Sequence, residues 1–391
     1  MPGPVAPDGG SVIYLDNAAT SFPKAPGVDT AIGQFLNCSA GNPGRSGHAL
    51  ALAAQSAVSE TRQLLAALFH IPDPSRIVFT LNTTDALNLA LWGLLKPGDR
   101  VVTTSMEHNS VARPLQALAD RGAEVTIVPC APDGSLDLDD LSRALDEKPT
   151  RLVAMTHASN VTGTILPAQE VAALAHAHGA VFLLDAAQTA GVLTIDAPAT
   201  GVDLLAFPGH KGLLGPTGTG GLYVAPWIEL TPLRQGGTGT RSEELRQPLA
   251  LPEGLEAGTV NTVGIVGLGA SLHYLRERGI EAVREHEASL TQRLILELRE
   301  IRGLHLYGPG DARRQVATVS LTLDDWEPID LAAALDTSFG ICVRPGLHCA
   351  LLAHRTIGTY PQGTVRLSPG AFTTDEEIDI AIRALRALAA A

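Results

Sequence analysis

Short runs of β-branched and aliphatic residues, at 77–81, 100–104, 124–128, 152–156 and 181–185, are separated by longer stretches with helical patterning. The runs are apolar throughout rather than alternating, as expected of strands covered on both faces. This alternation of strand and helix predicts an α/β chain built on a mostly parallel sheet. Open sheets of that kind bind ligands beyond the carboxyl ends of their strands, so polar residues that directly follow the runs are the first candidates for chemistry.

The pattern changes after Gly258. Helical stretches at 261–278 and 280–302 lead to a strand at 316–323 and a last helix at 375–390, which together predict a smaller α+β domain. A chain of 391 residues exceeds the usual size of one domain, and the change of pattern divides it at 13–262 and 263–391, with residues 1–12 packing on the smaller part. The net charge of −13, with no long basic run, argues against nucleic acid and anionic lipid as partners. The Pro- and Gly-rich start lacks the basic and apolar regions of a secretory signal, and no apolar run is long enough to span a membrane, so a cytoplasmic location is expected. Cys38, Cys130, Cys342 and Cys349 are too few and too scattered for a disulfide framework and read as thiols.

Lysine is rare. Lys24, Lys96 and Lys148 each adjoin a proline and read as solvated charges at surface turns. Lys211 instead lies in Phe207-Pro208-Gly209-His210-Lys211-Gly212-Leu213-Leu214, a glycine-rich and mostly apolar segment. Desolvation there lowers the pKa of an amine and frees it as a nucleophile or base, which points to Schiff-base chemistry.

Asp185 ends an apolar run and Gln188 follows it, so a carboxylate could hold a pyridine nitrogen protonated while the amide reaches a ring oxygen. An Asp at a strand end serves as often as a helix cap. Thr83 and Thr84 open a helix, where free N–H groups and hydroxyls suit a phosphate, although an ordinary cap has the same residues. His108 lies just beyond the run at 100–104, placed to stack on a flat ring and to move protons near neutral pH. Gly218-Thr219-Gly220-Gly221 precedes a strand instead of opening a helix, the reverse of a dinucleotide loop, and reads as a turn.

A second cluster comprises Cys342, Arg344, His348, Cys349 and His354. Its order lacks the paired short spacings of structural zinc motifs, so no metal is expected. A nucleophilic thiol fits Cys349 better, since neighbouring histidine and arginine charge favours a thiolate. Arg366, on a strand-like stretch, has the fork that suits a carboxylate.

Taken in order, Tyr14-Leu15-Asp16-Asn17-Ala18-Ala19-Thr20, Thr83-Thr84, Glu107-His108, Asn160, Asp185-Ala186-Ala187-Gln188, Gly209-His210-Lys211, Gly258-Thr259, Arg344 to Cys349 and Arg366 resemble the cysteine desulfurase and selenocysteine lyase family, also called class V aminotransferases. The resemblance implies a pyridoxal-phosphate (PLP) enzyme of fold type I, with a large domain on a mostly parallel seven-stranded sheet and a smaller α+β C-terminal domain. It implies that Lys211 binds the cofactor covalently, that Asp185 pairs with its ring nitrogen, Gln188 reaches its ring oxygen and His108 stacks on it. Thr83, Thr84 and His210 would hold the phosphate, joined by Thr259 from the partner subunit of a homodimer. Asn160, Arg366, His48 and Arg344 would surround the substrate, L-cysteine or L-selenocysteine. Cys349 would receive the sulfur as a persulfide and yield it to an acceptor protein or reductant. The strand that follows soon after Cys349 resembles the branch with a short catalytic loop. One residue departs from the pattern: many relatives have a hydroxyl where this chain has Pro208.

Two rival readings remain at this point. The same fold supports transamination, epimerisation or another elimination with Cys349 idle, and a binding protein can keep the fold without catalysis. Only sulfur transfer requires the thiol, and a pure scaffold requires neither Lys211 nor Asp185.

Overall fold

The computed structural model describes residues 12–44 and 47–390. Its central sheet has seven strands: β2 (Ile77–Thr80), β3 (Arg100–Thr104), β4 (Glu124–Val128), β5 (Leu152–Thr156), β6 (Val181–Asp185), β7 (Leu204–Pro208) and β8 (Gly220–Val224). Their order across the sheet is β2-β8-β7-β6-β5-β3-β4, and only β8 runs against its neighbours. Strands β2, β3, β5, β6 and β7 therefore end at the same edge. Most of their residues are fully buried, as their unbroken apolar runs require.

The smaller domain is built on an antiparallel sheet ordered β12-β13-β10-β9, from β9 (Leu304–Tyr307), β10 (Val319–Leu323), β12 (Arg344–Gly346) and β13 (Thr364–Leu367). The short strand β1 (Ile13–Tyr14) pairs in parallel with β11 (Ile341–Cys342), which ties the beginning of the described chain to this domain. Ile13 and Leu15 accordingly belong to its core, with Leu294, Leu321 and Leu367. Apart from Val12, the segment 1–12 expected to pack here lies outside the described residues.

The helix Thr262–Arg278, capped by the Asn261 side chain, packs against the helices Val28–Cys38 and Ala49–Leu68. Its Ile265, Leu268 and Leu272 join the large core, which extends as far as Val283, while Leu290 already belongs to the small one. The two cores divide inside the helix Ile280–Arg299, whereas the change of pattern after Gly258 placed the domain division at residue 262. A long helix spanning both cores gives no compositional break where the packing changes sides.

Two strands had no strong run to announce them. β7 ends in Pro208, whose partner across the sheet is Gly220, and β9 is half exposed. No described helix is long and apolar enough to cross a membrane.

Candidate active site

The edge where β2, β3, β5, β6 and β7 end opens into a cleft lined by Thr83, His108, Asn160, Asp185, Gln188 and Lys211, among others. These side chains follow or end five different strands, with Asp185 and Gln188 both at the end of β6, so one edge of the sheet collects residues far apart in sequence.

Lys211 is presented by the turn after β7. Gly209 donates its N–H to the carbonyl of Thr219 and accepts from Gly215, closing a tight loop against β8. A Cβ on Gly209 would lie 2.1 Å from Thr219 Oγ1, so only glycine permits this approach. The Lys211 amine has no protein hydrogen-bond partner among the described residues. Burial, then the charge of Arg366, lowers its pKa to about 8.

Asp185 ends β6 with its carboxyl buried and Oδ1 accepting the N–H of Ala187 at 2.9 Å. Burial raises its pKa to about 6, against the opposing pull of that N–H and of Lys211. Gln188 donates its amide to the carbonyl of Ala18 at 3.1 Å, which fixes its side chain at the rim.

Beyond β2, Asn82 caps the helix Thr83–Leu94 by accepting the N–H of Asp85. The Thr83 hydroxyl is buried without a partner, while Thr84 Oγ1 lies 2.8 Å from Ser110 Oγ. Ser110 in turn lies 2.7 Å from Nδ1 of His108, and its N–H donates to the same nitrogen. Ser110, which the sequence reading did not single out, thus joins two expected site residues. A hydroxyl two places after a histidine at a helix start is the signal that would have found it.

The imidazole of His108 caps the helix Asn109–Ala119 through Nδ1, which leaves the proton on Nε2. Burial and the charges of Lys211, Arg344 and Arg366 lower its pKa to about 4. This environment favours the uncharged ring near neutral pH, where the sequence suggested proton transfer.

His210 sits beside Lys211, with Nδ1 3.1 Å from Thr20 Oγ1 and its pKa lowered to about 4 by burial and the two nearby lysines. One of those is Lys24. Its ammonium donates to Thr20 Oγ1, Ser21 Oγ and the carbonyl of His210, at 3.2, 3.1 and 3.0 Å. Lys24 is half-buried, which corrects its reading as a solvated turn charge, and desolvation lowers its pKa to about 8. Pro23 beside it marks a turn, but the turn folds onto the site rather than into solvent.

Arg366 is buried on β13. Nη2 pairs with Asp16 at 2.7 Å and Nη1 donates to the Asn160 carbonyl at 2.9 Å, while Nε has no partner. A carboxylate recognised by this fork would have to share it with Asp16, a partner the sequence reading did not foresee. The Asn160 amide donates to the carbonyl of His348 at 2.7 Å and so reaches the cysteine segment.

Cys349 is exposed at the mouth of an adjoining cleft that it lines with Thr84 and His108. Its carbonyl accepts the N–H of Asn109 at 2.7 Å, which seats it against the helix that His108 caps. Nη2 of Arg344 lies 3.5 Å from its sulfur. His348 was expected to charge the thiol's surroundings, and that is corrected: its ring turns inward, is buried, and has its pKa lowered to about 2, chiefly by desolvation. Arg344 is left as the cation at the thiol. Between Cys349 and β13 the chain forms the helix Leu351–Thr356, whose Ala353 packs with Ala350, Met106 and Val161.

Two expected residues stand apart from the cleft in this chain. His48 is exposed and caps the helix Ala49–Leu68, accepting the N–H of Ala51 at 3.3 Å. Thr259 is exposed beyond Gly258, whose N–H donates to the carbonyl of Gly237. Among the described residues no group of three or more His, Cys, Asp or Glu is placed to hold a metal.

The family described as Aminotransferase class-V matches residues 13–380. A probable cysteine desulfurase of Methanothermobacter thermautotrophicus is 38% identical over 375 residues, 94% of this chain and 92% of its own length. Among solved structures, the apo cysteine desulfurase of Thermococcus onnurineus superposes with a TM-score of 0.91 at 34% identity, covering 97% of this chain and 95% of that one. The cysteine desulfurase CsdA of Escherichia coli, in an S-sulfonic acid form, gives 0.86 at 30% identity, over 96% and 94% of the two chains.

Proposed function

This chain belongs to the class V aminotransferase family, and from its likeness to cysteine desulfurases over nearly its whole length we propose how it works as one. It is an enzyme that takes sulfur from L-cysteine and leaves L-alanine. The observation that carries the reading is the meeting, at one strand edge, of a desolvated lysine, a buried carboxylate and an exposed thiol beside an arginine.

The cleft fits pyridoxal phosphate. The unpartnered Thr83 hydroxyl and the first turn of its helix suit a phosphate, with Thr84 and His210 at its sides. Asp185 faces the cleft where a protonated ring nitrogen would hold it ionised, Gln188 lies at the rim for the ring oxygen, and the neutral His108 offers a flat face. Bound through Lys211, the cofactor would supply an electron sink for the charge that develops at the substrate's α-carbon.

The remaining work falls to the chain. Lys211, with a pKa near 8, has a free-amine fraction at neutral pH and, when not bonded to the cofactor, would remove the substrate's α-proton. Arg366 and Arg344 set positive charge on the substrate side, and Asn160 ties that wall to the cysteine segment. The Cys349 thiolate attacks the substrate sulfur. The carbon–sulfur bond breaks with its electron pair going to the β-carbon, which takes up a proton to become a methyl group, and the α-carbon regains a proton from Lys211 to give alanine. The sulfur stays on Cys349 as a persulfide.

Cys349 stands on a segment held by Asn109 and by the packed helix Leu351–Thr356, so an acceptor protein or a thiol reductant collects the sulfur at the protein surface. Exposed Thr259 is assigned to the phosphate of a partner subunit in a homodimer working in the cytoplasm. L-Selenocysteine is the alternative substrate that the same residues accommodate. Incubation with L-cysteine and a thiol reductant should release alanine and sulfide in equal amounts, with neither from Lys211→Ala. Pyruvate and ammonia in place of alanine would replace this reading with simple elimination.

A further inference from the structure

His348 and Cys349 are consecutive non-glycine residues in the left-handed backbone region, with φ of +49° and +56°. That conformation is unfavourable for L-residues with a side chain and persists only where surrounding contacts impose it. The contacts are on the inner side of the segment. Nε2 of His348 lies 3.0 Å from the carbonyl of Arg344, Nδ1 lies 3.2 Å from Nε2 of His354, and Nδ1 of His354 lies 2.7 Å from Oγ1 of Thr359. The two rings stack with centroids 5.4 Å apart, and both are buried.

A carbonyl only accepts, so His348 must carry its proton on Nε2. Its Nδ1 is then an acceptor, which requires the proton of His354 to be on Nε2. That makes His354 Nδ1 an acceptor as well, and the Thr359 hydroxyl supplies its donor. Every link runs one way, from Thr359 to the Arg344 carbonyl. Each neutral ring has one usable tautomer.

We propose that His354 and Thr359 are positioning residues for sulfur transfer: the chain Thr359, His354, His348 fixes both tautomers and so pins the Arg344 to Cys349 segment with its thiol turned outward beside the Arg344 guanidinium. Neither His354 nor Thr359 lines the clefts at Lys211 and Cys349. The proposal rests on Cys349 as the sulfur acceptor, but its geometry does not.

Thr359→Val keeps the shape and removes the donor. His354 is then free to move its proton to Nδ1, which faces two lone pairs across the ring contact or turns a lone pair of His348 onto the Arg344 carbonyl. In the holoenzyme the spectral change at saturating L-cysteine should stay at wild-type size, because proton removal at Lys211 does not involve this chain, and displacement of Arg344 on the pinned segment shifts only the concentration of L-cysteine at half-saturation. The single-turnover rate of persulfide formation on Cys349, read by mass spectrometry, should fall by about ten- to a hundredfold, the scale of an ångström-sized misplacement. Thr359→Ser should restore it. Nitrogen-15 NMR should show Nε2–H on both rings of the wild type and a changed tautomer in Thr359→Val, with faster amide exchange across residues 344–350. A Thr359→Val enzyme with wild-type transfer rate, or one that loses the spectral change along with transfer, overturns the proposal. If the wild type makes alanine with no persulfide on Cys349, the acceptor reading fails instead. The tautomers and amide exchange then still decide whether the chain pins the segment, and an unchanged pattern in Thr359→Val refutes it.

Discussion

Replacing Lys24 by methionine removes a charge that the sequence placed in solvent and the structure places against the His210 carbonyl, next to Lys211 in sequence. The side chain keeps its length, so the loss is confined to the three hydrogen bonds to Thr20, Ser21 and the His210 carbonyl. Bonds from a charged donor contribute about 1.5–3 kcal/mol each when fully buried. Lys24 is only half-buried, its three bonds share one ammonium, and the desolvation that lowers its pKa opposes them, so the expected net loss is about 1 kcal/mol. For a protein of this size that lowers Tm by about a degree or two. The variant also removes one of the two lysine charges that depress His210, so the imidazole should titrate closer to its ordinary value of 6.5. Differential scanning calorimetry gives the first quantity, and proton NMR of the histidine ring against pH gives the second. A variant that melts with the wild type and leaves His210 titrating unchanged would show that Lys24 is the solvated charge its neighbouring proline suggested.

Two further outcomes follow from buried carboxylates. Glu256 pairs with Arg62 at 2.8 Å in a site where both side chains are about nine-tenths buried, and it also accepts the N–H of Phe79. Glu256→Ala leaves an uncompensated arginine and should cost about 3 kcal/mol, measured by chemical unfolding; a loss under about 1 kcal/mol would contradict the pairing. Burial raises Glu287 from 4.5 to about 8, so the folded state keeps a proton that the unfolded state releases. Stability from this group is full below about 4.5 and declines as pH rises through 8, and Glu287→Gln should flatten that decline in Tm measured against pH; an equally steep profile in the variant would contradict it.

The runs at 100–104, 152–156 and 181–185 were legible because each is buried on both faces and bounded by turns, so periodicity and burial agree residue by residue. β4 is the partial exception, an edge strand whose Glu124 and Ile127 are exposed. The strand-edge rule then located Asp185, His108 and Thr83, because the chain must leave the sheet where these residues stand. Lys24 was misread because exposure was inferred from a neighbouring proline, and a local turn signal says nothing about what the turn folds against. The same limit applies to His348: adjacency in sequence placed its charge beside Cys349, but successive side chains diverge and the left-handed backbone sends the ring to His354. Asp16 and Ser110 were missed for a different reason. Asp16 acts on a partner 350 residues away, which no local pattern reports, and Ser110 joins Thr84, 26 residues away, to the nearby His108.

The central claim is that sulfur passes to Cys349, and a single turnover with L-cysteine tests it most directly. Mass spectrometry of the wild type should place the added sulfur on Cys349 and not on Cys38, Cys130 or Cys342, all of which are free thiols. Cys349→Ala should retain the spectral response to L-cysteine and yield almost no alanine. Full cysteine-dependent alanine production by that variant, or sulfur found on another cysteine, would contradict the account.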